Sequence, residues 1–364
     1  MSLTSELRDP ASPVTRWISG RFPGVAPLEA EWAAQLADAR TVRPRGRVDW
    51  ALLGQAFGHR LGFAFGLDPP YAAVLGAGAY TASGQVRHLA SACFPTVRAL
   101  PGRLAGSVRV LGPDRYLPLL GTGPAAGPGP GPGPGPGDAW LLDFFTHAAG
   151  LVERLGARPP DPDHPDEREL LAACYILAIL ERAYRGGTRE PALIGRTPAE
   201  LLGLVPALVV DDLLAMTRVL AGEGGRGLEA LGGPAVVAPM LVEHWADGDL
   251  ALGGTLVDCK ATVRPVFKLT DFHQAVAYVL LDHGDWYGLD AAAIYLARQG
   301  RLVRWPLERI LAATGDPGAT LPGLREELAG VLLTTFGDAL LRRWTVHRPA
   351  GPLPASAFQP PRPA

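Results

Sequence analysis

Residues 249–260 read Asp249-Leu-Ala-Leu-Gly-Gly-Thr-Leu-Val-Asp258-Cys-Lys260. Two apolar runs flank a pair of glycines. This pattern is typical of two antiparallel strands joined by a two-residue turn, because both turn positions take positive φ. We therefore predict strands over Asp249–Leu252 and Thr255–Lys260. The hairpin is the basis for predicting an α/β fold with a mixed central sheet flanked by helices.

The hairpin also brings three charged side chains together. Side chains two positions apart point to the same face of a strand, so Asp258 and Lys260 share a face while Cys259 points away from it. The tight turn brings Asp249 towards Asp258 across the ladder. An acid and an Asp-x-Lys pair are therefore predicted to meet at one end of the sheet.

This group of residues suits the hydrolysis of a phosphodiester bond. Two carboxylates, Asp249 and Asp258, provide the oxygen ligands that Mg²⁺ prefers, and the backbone carbonyl of Cys259 is a further candidate ligand. A bound Mg²⁺ or Mn²⁺ makes water more acidic and offsets negative charge on the phosphate. Lys260, beside the metal, is expected to orient the attacking water or to stabilise the developing charge.

A helix predicted over Asp271–Asp282 extends the pattern. Its residues Gln274 and Tyr278 are four positions apart and so lie on one helical face. An acid, an Asp-x-Lys pair and a Gln-x-x-x-Tyr pair thus follow one another, and this succession resembles the RecB-like branch of the PD-(D/E)XK nucleases over about Val236–Leu307. The resemblance implies a restriction-endonuclease-like core in which these side chains line one active site.

The resemblance also implies a role for each residue. Asp249 and Asp258 are expected to hold Mg²⁺ or Mn²⁺, Lys260 to act in catalysis, and Gln274 and Tyr278 to position the substrate or water on the metal. The implied activity is that of a metal-dependent deoxyribonuclease in DNA defence or repair, with DNA as substrate and a protein partner for targeting. The alternatives are a catalytically degenerate nuclease fold that binds nucleic acid or serves assembly, and a helical interaction protein that only mimics the motif.

Two positions of the resemblance stay open. RecB-like nucleases carry an upstream His or Glu on a helix, often in a Gly-x-x-x-His pattern, but in Gly54-Gln-Ala-Phe-Gly58-His59 the histidine comes one residue late. Glu181 is the other candidate for this acid, although a solvated helix residue is the expectation for it. Asp247 is an alternative metal ligand to Asp249, which is preferred because it immediately precedes the apolar strand.

Composition limits the other functions. The formal net charge is −2, which argues against a protein that coats nucleic acid without specificity. The three cysteines are far apart, which indicates reduced thiols without a disulfide framework or zinc-ligand spacing. Neither a signal peptide nor a membrane-spanning segment is predicted, so the expected location is the cytoplasm.

Basic residues are the candidates for binding the substrate. Of 34 basic residues only Lys260 and Lys268 are lysines, and the titratable ammonium of lysine is chemically distinct from the guanidinium of arginine. Arginine forks match phosphate oxygens, and tryptophans stack on unpaired bases. The expected contacts are Arg264, Arg298, Arg301, Arg304, Trp286 and Trp305.

The chain is predicted to have a helical and a mixed portion. Residues 1–230 form the largely helical N-terminal portion with a disordered Gly/Pro loop at 121–138, residues 231–345 form the nuclease-like core with the C-terminal helix, and residues 346–364 form a disordered tail. The other predicted helices are Pro27–Ala39, Asp49–Phe65, Pro70–Ala79, Ala139–Leu155, Asp166–Arg185, Pro198–Gly222 with a break near Pro206, and Leu324–Trp344. The other predicted strands are Val236–Val242, Ala291–Ala297 and Leu302–Pro306.

Overall fold

The structure is a computed structural model that describes residues 2–81, 85–98, 108–109, 117–118, 137–242, 245–314, 316 and 318–337. The Gly/Pro loop predicted at 121–138 lies outside these residues except for its last two. The tail predicted at 346–364 lies outside them entirely. Among the described residues, no helix combines the length and the apolar character needed to cross a bilayer.

The described chain is a mixture of helices and short strands. The α-helices are α1 (Leu3–Arg8), α2 (Pro13–Arg21), α3 (Ala26–Leu36), α4 (Trp50–Phe65), α5 (Tyr71–Ala77), α6 (Gln85–Ala92), α7 (Pro95–Arg98), α8 (Ala139–Leu155), α9 (Glu167–Gly186), α10 (Pro198–Gly203), α11 (Ala207–Val219), α12 (Gly225–Glu229), α13 (Leu269–Leu281), α14 (Leu307–Thr314) and α15 (Leu321–Phe336). The strands are β1 (Val108–Arg109), β2 (Leu117–Pro118), β3 (Ala235–Val237), β4 (Met240–Val242), β5 (Ala246–Asp247), β6 (Leu250–Leu252), β7 (Thr255–Lys260), β8 (Ala291–Leu296) and β9 (Arg301–Pro306).

The chain divides into two compact units. The sheet unit comprises residues 1–41 and 223–364, and the helical unit comprises residues 42–222. This division differs from the predicted boundary at residue 230, because the first three helices belong with the sheet. Leu3, Leu7 and Trp32 are buried in the same apolar core as the residues of the strands.

The sheet unit contains a mixed five-stranded sheet in the order β3-β6-β7-β8-β9. Strands β7 and β8 are parallel, and the other neighbouring pairs are antiparallel. Two adjacent parallel strands need a crossover connection, which helix α13 provides. The predicted α/β class with a mixed central sheet and flanking helices is therefore confirmed.

The predicted β6–β7 hairpin is also confirmed. Its turn residues Gly253 and Gly254 have φ of 53° and 75°, as a tight hairpin turn requires. A Cβ on Gly253 would lie only 2.3 Å from the backbone oxygen of Leu231, so the turn excludes a side chain for steric reasons as well. The sequence therefore determines both the turn and the register of the strands that follow from it.

The single strand predicted over Val236–Val242 is wrong. The structure has two strands here, β3 in the five-stranded sheet and β4 in a separate pair with β5. Ala238 takes a left-handed φ of 48°, and Pro239 has no N–H to donate to a ladder. The chain therefore leaves the main sheet at these two residues, and their peptide groups form hydrogen bonds with the backbone of Asp249 and Gly248.

The helical unit is built around α9, which packs against α4 and α5. The contact with α5 is close, since a Cβ on Gly76 would lie 1.8 Å from the backbone oxygen of Leu180. The predicted break near Pro206 is confirmed, because α10 ends before this proline and α11 begins after it. At the start of α9, Glu167 forms a fully buried ion pair with Arg60 of α4, with Nε–Oε1 at 2.6 Å and Nη2–Oε2 at 3.0 Å.

We expect Arg60→Met to destabilise the helical unit by about 3–5 kcal/mol, because it leaves the buried Glu167 carboxylate without its partner. Replacement of both residues, Arg60→Met with Glu167→Leu, should restore most of this loss, since an apolar pair needs no compensating charge. Urea unfolding of the full chain, followed by circular dichroism, measures the difference. A single variant that unfolds at the wild-type urea concentration would contradict the expectation.

Candidate active site

The candidate site lies at the carboxyl end of β7, where the hairpin brings Asp249 next to Asp258. Leu250 pairs with Val257 in the ladder, which places the preceding Asp249 beside the residues that follow Val257. The carboxylate of Asp249 accepts a hydrogen bond from the backbone N–H of Cys259, with Oδ2–N at 2.6 Å. This short, charge-assisted bond fixes Asp249 against the strand that carries Asp258 and Lys260.

The break between β3 and β4 supports Asp249 from its other side. The backbone N–H of Ala238 donates to the Asp249 carbonyl at 2.9 Å, and the N–H of Gly248 donates to the Pro239 carbonyl at 2.9 Å. The peptide groups freed by the break thus hold the backbone of the acid. Asp247 lies in β5, whose partner is β4, whereas the Asp249 carboxylate bonds to the backbone of β7.

Lys260 is the centre of the contacts in the site. Its Nζ lies 2.8 Å from Asp258 Oδ2, as expected for residues that share one strand face. It also lies 3.3 Å from Gln274 Oε1 and 4.0 Å from Asp271 Oδ1, both on α13. The strand and the crossover helix therefore converge on this ammonium, and Asp271 is a neighbour that the sequence pattern did not single out.

The Gln274 amide links three elements. Its Oε1 accepts from Lys260, and its Nε2 donates to the Tyr278 hydroxyl at 2.8 Å and to the Thr4 Oγ1 at 3.1 Å. Thr4 belongs to α1, which is held in place by a backbone bond from Leu3 N–H to the Trp245 carbonyl at 2.9 Å. The first helix of the chain thus reaches the site and fixes which way the Gln274 amide points.

Burial and the neighbouring charges act in opposite directions on the pKa values of Asp258 and Lys260. Burial raises the pKa of the Asp258 carboxyl by more than the neighbouring Lys260 ammonium lowers it. Burial alone would lower the pKa of Lys260, but the carboxylates of Asp258 and Asp271 outweigh it and raise that pKa. Lys260 therefore remains a cation over the whole physiological pH range.

The pKa of the Tyr278 hydroxyl is affected by several nearby carboxylates. Burial first, and then the negative charges of Asp247, Asp258 and Asp249, raise the pKa of its hydroxyl. The phenol therefore stays protonated and donates or accepts hydrogen bonds as a neutral group. The carboxylates of Asp247, Asp249 and Asp258 therefore all lie near the Tyr278 hydroxyl.

Asp249 and Asp258 are the candidate oxygen ligands in the site. Although Asp258 Oδ2 lies 2.8 Å from Lys260 Nζ, this buried oxygen has no partner with hydrogen-bond geometry among the described residues. This oxygen is therefore ion-paired with Lys260, and the carboxylates of Asp258 and Asp249 are the two side chains that could offer further oxygen ligands to a cation. No group of three or more His, Cys, Asp or Glu side chains within the described ranges is arranged to hold a metal ion.

The two upstream candidates lie together in the helical unit. His59 Nε2 is 2.9 Å from Glu181 Oε2, and Arg185 also contacts this carboxylate. The expectation of a solvated Glu181 is wrong, because the residue is buried. Burial raises the pKa of Glu181, but Arg185 and His59 outweigh it and lower that pKa to about 2. The acid is therefore ionised and already paired within its own unit.

Two of the residues expected to contact the substrate are buried. The Arg298 side chain is fully buried, and its Nε donates to the Ala261 carbonyl at 2.8 Å. Trp305 is also fully buried and is stacked on Trp32 with 6.2 Å between ring centroids. The expected phosphate contact for Arg298 and base stacking for Trp305 are therefore wrong, because neither side chain reaches solvent.

Two more of these arginines have protein partners. Arg301 lies 3.3 Å from Asp38 and 3.4 Å from Glu223, and Arg304 donates to Thr255 Oγ1 at 2.9 Å. Trp286 is half-buried, and Arg264 is exposed. Of the expected substrate-binding arginines, Arg264 and Arg304 are exposed, and Arg304 already donates to Thr255.

Comparison with known proteins gives no relative, because no protein-family model, no curated protein and no solved structure matches this chain. The mixed α/β fold and the contacts of the site residues are therefore the basis on which a function is proposed.

Proposed function

We propose that the sheet unit is a restriction-endonuclease-like core of the PD-(D/E)XK type and that the protein is a metal-dependent nuclease that hydrolyses DNA phosphodiester bonds. The observation that carries the proposal is that four side chains of the motif contact one another in sequence, Asp258 with Lys260, Lys260 with Gln274 and Gln274 with Tyr278, while the fifth, Asp249, is bonded to the backbone of Cys259 between Asp258 and Lys260. The antiparallel β6–β7 hairpin, followed by a crossover helix and a parallel strand, supports the same assignment.

The cation proposed for this site is Mg²⁺ or Mn²⁺, held by Asp249, Asp258 and the backbone carbonyl of Cys259. Mg²⁺ commonly uses one or two carboxylates and keeps several waters, so two acids are sufficient. When bound, such a metal acidifies water and offsets the negative charge of the phosphate. The bond from Cys259 N–H to Asp249 keeps the two acids together before any metal binds.

The protein's own groups supply the remaining chemistry. The Lys260 ammonium is fixed by Asp258 and Gln274, and it would stabilise the negative charge that develops on the phosphate oxygens. Gln274 keeps its Oε1 towards Lys260 because its Nε2 is bonded to Tyr278 and Thr4. This preorganisation keeps the cation in position and reduces the rearrangement needed during reaction.

Incubation of the purified protein with linear, circular and single-stranded DNA tests the proposal. Cleavage is expected with Mg²⁺ or Mn²⁺ and not with EDTA, and cleavage of the circular substrate would identify an endonuclease. The alternative is a degenerate nuclease fold that binds nucleic acid or serves assembly. It is favoured by the observation that no three-residue metal group is found within the described chain. DNA binding without cleavage of any substrate in either metal would favour that alternative.

Thr4→Val is expected to lower the cleavage rate about fivefold, because the Gln274 amide loses one of the bonds that fix its orientation, worth about 1 kcal/mol. Thr4→Ser keeps an acceptor at the same place and should retain the wild-type rate. Initial rates on one DNA substrate measure both effects.

Thr15→Val is the matched control for Thr4→Val. The Thr15 hydroxyl donates to the Glu6 carbonyl and so ties α1 to α2 without contacting a residue of the site. An equal loss of rate in Thr15→Val would show that the position of α1 matters and that the bond to Gln274 does not.

A further inference from the structure

Residues 264–268 form a segment whose side chains alternate between solvent and the protein interior. Arg264, Val266 and Lys268 are exposed, whereas Pro265 and Phe267 between them are partly buried. Val266 is 63% exposed. The side chains of Arg264 and Lys268 have no hydrogen bond or ion pair in the part of the chain that the structure describes. The segment therefore presents a cation, an apolar group and a second cation to solvent.

The backbone of this segment is anchored from the inside. The carbonyls of Ala261 and Thr262, just before it, accept from Arg298 Nε at 2.8 Å and from Gln299 Nε2 at 3.2 Å. The Pro265 carbonyl accepts from the Trp32 indole at 2.9 Å. The buried Arg298 thus holds the backbone just before the segment, and the bond from Trp32 attaches the segment itself to α3.

Phe267 provides a second anchor. Its ring lies against the buried rings of Trp32, Trp305 and Phe272, at centroid distances of 5.8, 6.2 and 5.9 Å. An aromatic side chain packed on three others has little freedom to move. The outward side chains on either side of Phe267 are therefore held on a rigid backbone, and a ligand would not have to order it on binding.

The segment borders the candidate active site at both ends. It begins four residues after Lys260 and ends immediately before α13, which carries Asp271 and Gln274. The Lys260–Asp271 distance of 4.0 Å shows that these two flanking elements approach each other at the site. A molecule that places a phosphate beside Lys260 would therefore run past the exposed cations of the segment.

We propose that residues 264–268 bind the nucleic-acid strand that the site cleaves, an inference that rests on the nuclease function proposed above. Arg264 and Lys268 contact phosphates next to the scissile one, and Val266 packs against a sugar or an unstacked base between them. Two lysines are present in the whole chain, and in this account both face the same strand, Lys260 at the reacting phosphate and Lys268 beside it.

Binding is measured by fluorescence anisotropy with labelled single-stranded and double-stranded oligonucleotides, in Mg²⁺ and in a Lys260→Met background that prevents cleavage. The Arg264→Gln/Lys268→Gln variant is expected to bind at least about tenfold more weakly. Its slope of log affinity against log salt should be smaller by about two, since each phosphate contact contributes roughly one. Val266→Ser should weaken binding about threefold without a change in slope, because an apolar contact releases no counterions.

The charge control is Arg16→Gln/Arg309→Gln, which removes the same net charge outside the segment. Because Arg309 is paired with Glu31 of α3, circular dichroism first verifies that this variant is folded. Arg309 lies on α14 beyond the carboxyl end of β9, and this end pairs with the start of β8, away from Lys260. The control should bind like the parent. Equal weakening in the control and in the segment variant, or no binding to either oligonucleotide, would overturn the inference.

The cleavage assay separates this inference from the nuclease proposal. Lys260-dependent cleavage together with unchanged affinity and salt slope in Arg264→Gln/Lys268→Gln would overturn the segment's role and leave the nuclease intact. A wild-type protein that cleaves nothing, but whose DNA binding depends on Arg264 and Lys268, would support the segment and reject the nuclease.

Discussion

Lys260→Met is expected to lower metal-dependent DNA cleavage by about 10²- to 10³-fold, the usual cost of removing one preorganised group that stabilises transition-state charge. The Lys260 side chain is half-buried, and its ammonium lies 2.8 Å from Asp258 and 3.3 Å from Gln274. Methionine keeps much of the side-chain volume but carries no charge and donates no hydrogen bond. Initial rates on a single DNA substrate at saturating Mn²⁺ measure the loss.

Lys260→Arg is the informative companion variant. It keeps the positive charge, but a planar guanidinium does not fit the compact position between Asp258 and Gln274. We expect this variant to remain at least about tenfold slower than wild type, with an unchanged thermal unfolding midpoint. A Lys260→Met protein that is folded and cleaves within a factor of two of wild type would contradict the role assigned to the lysine.

Asp258→Asn is expected to lower the cleavage rate by about the same factor as Lys260→Met. It should also weaken Mn²⁺ binding at least about tenfold, because a neutral amide replaces a charged ligand. Asparagine has nearly the same shape as aspartate, so it fits the buried position of Asp258 and the fold should persist. Isothermal titration with Mn²⁺, without DNA, measures metal affinity independently of activity.

Asp290→Asn is the matched control for Asp258→Asn. Asp290 precedes β8 at the opposite end of the sheet, and its side chain is 70% exposed. Its replacement should leave Mn²⁺ affinity and cleavage unchanged. If Asp258→Asn bound Mn²⁺ as tightly as this control, Asp258 would not be a metal ligand.

The sequence predicted those parts of the fold that local patterns determine. Gly253 and Gly254 gave the hairpin and its register, because the turn needs positive φ at both positions. The contact of Gln274 with Tyr278 follows from helical periodicity, and the break in the long helix follows from Pro206. These features depend on residues that are near one another in the chain.

The parts that the sequence did not predict depend on contacts between distant residues. Thr4 meets Gln274 across 270 positions, and no local pattern marks such a contact. Helix α1 was missed because it has only six residues, although Leu3 and Leu7 both face the core. Arg298 was predicted to contact the substrate at the surface, but its side chain is buried and its Nε donates to the carbonyl of Ala261.

The most direct test of the account is the rate at which the purified protein cleaves DNA in Mn²⁺, compared side by side with EDTA and with Lys260→Met. A metal-dependent nuclease that uses Lys260 cleaves in Mn²⁺, does not cleave in EDTA and loses at least about a hundredfold of its rate in the variant. Cleavage that persists in EDTA, or equally in the variant, would contradict this function. So would a folded wild-type protein that binds Mn²⁺ and cleaves no form of DNA.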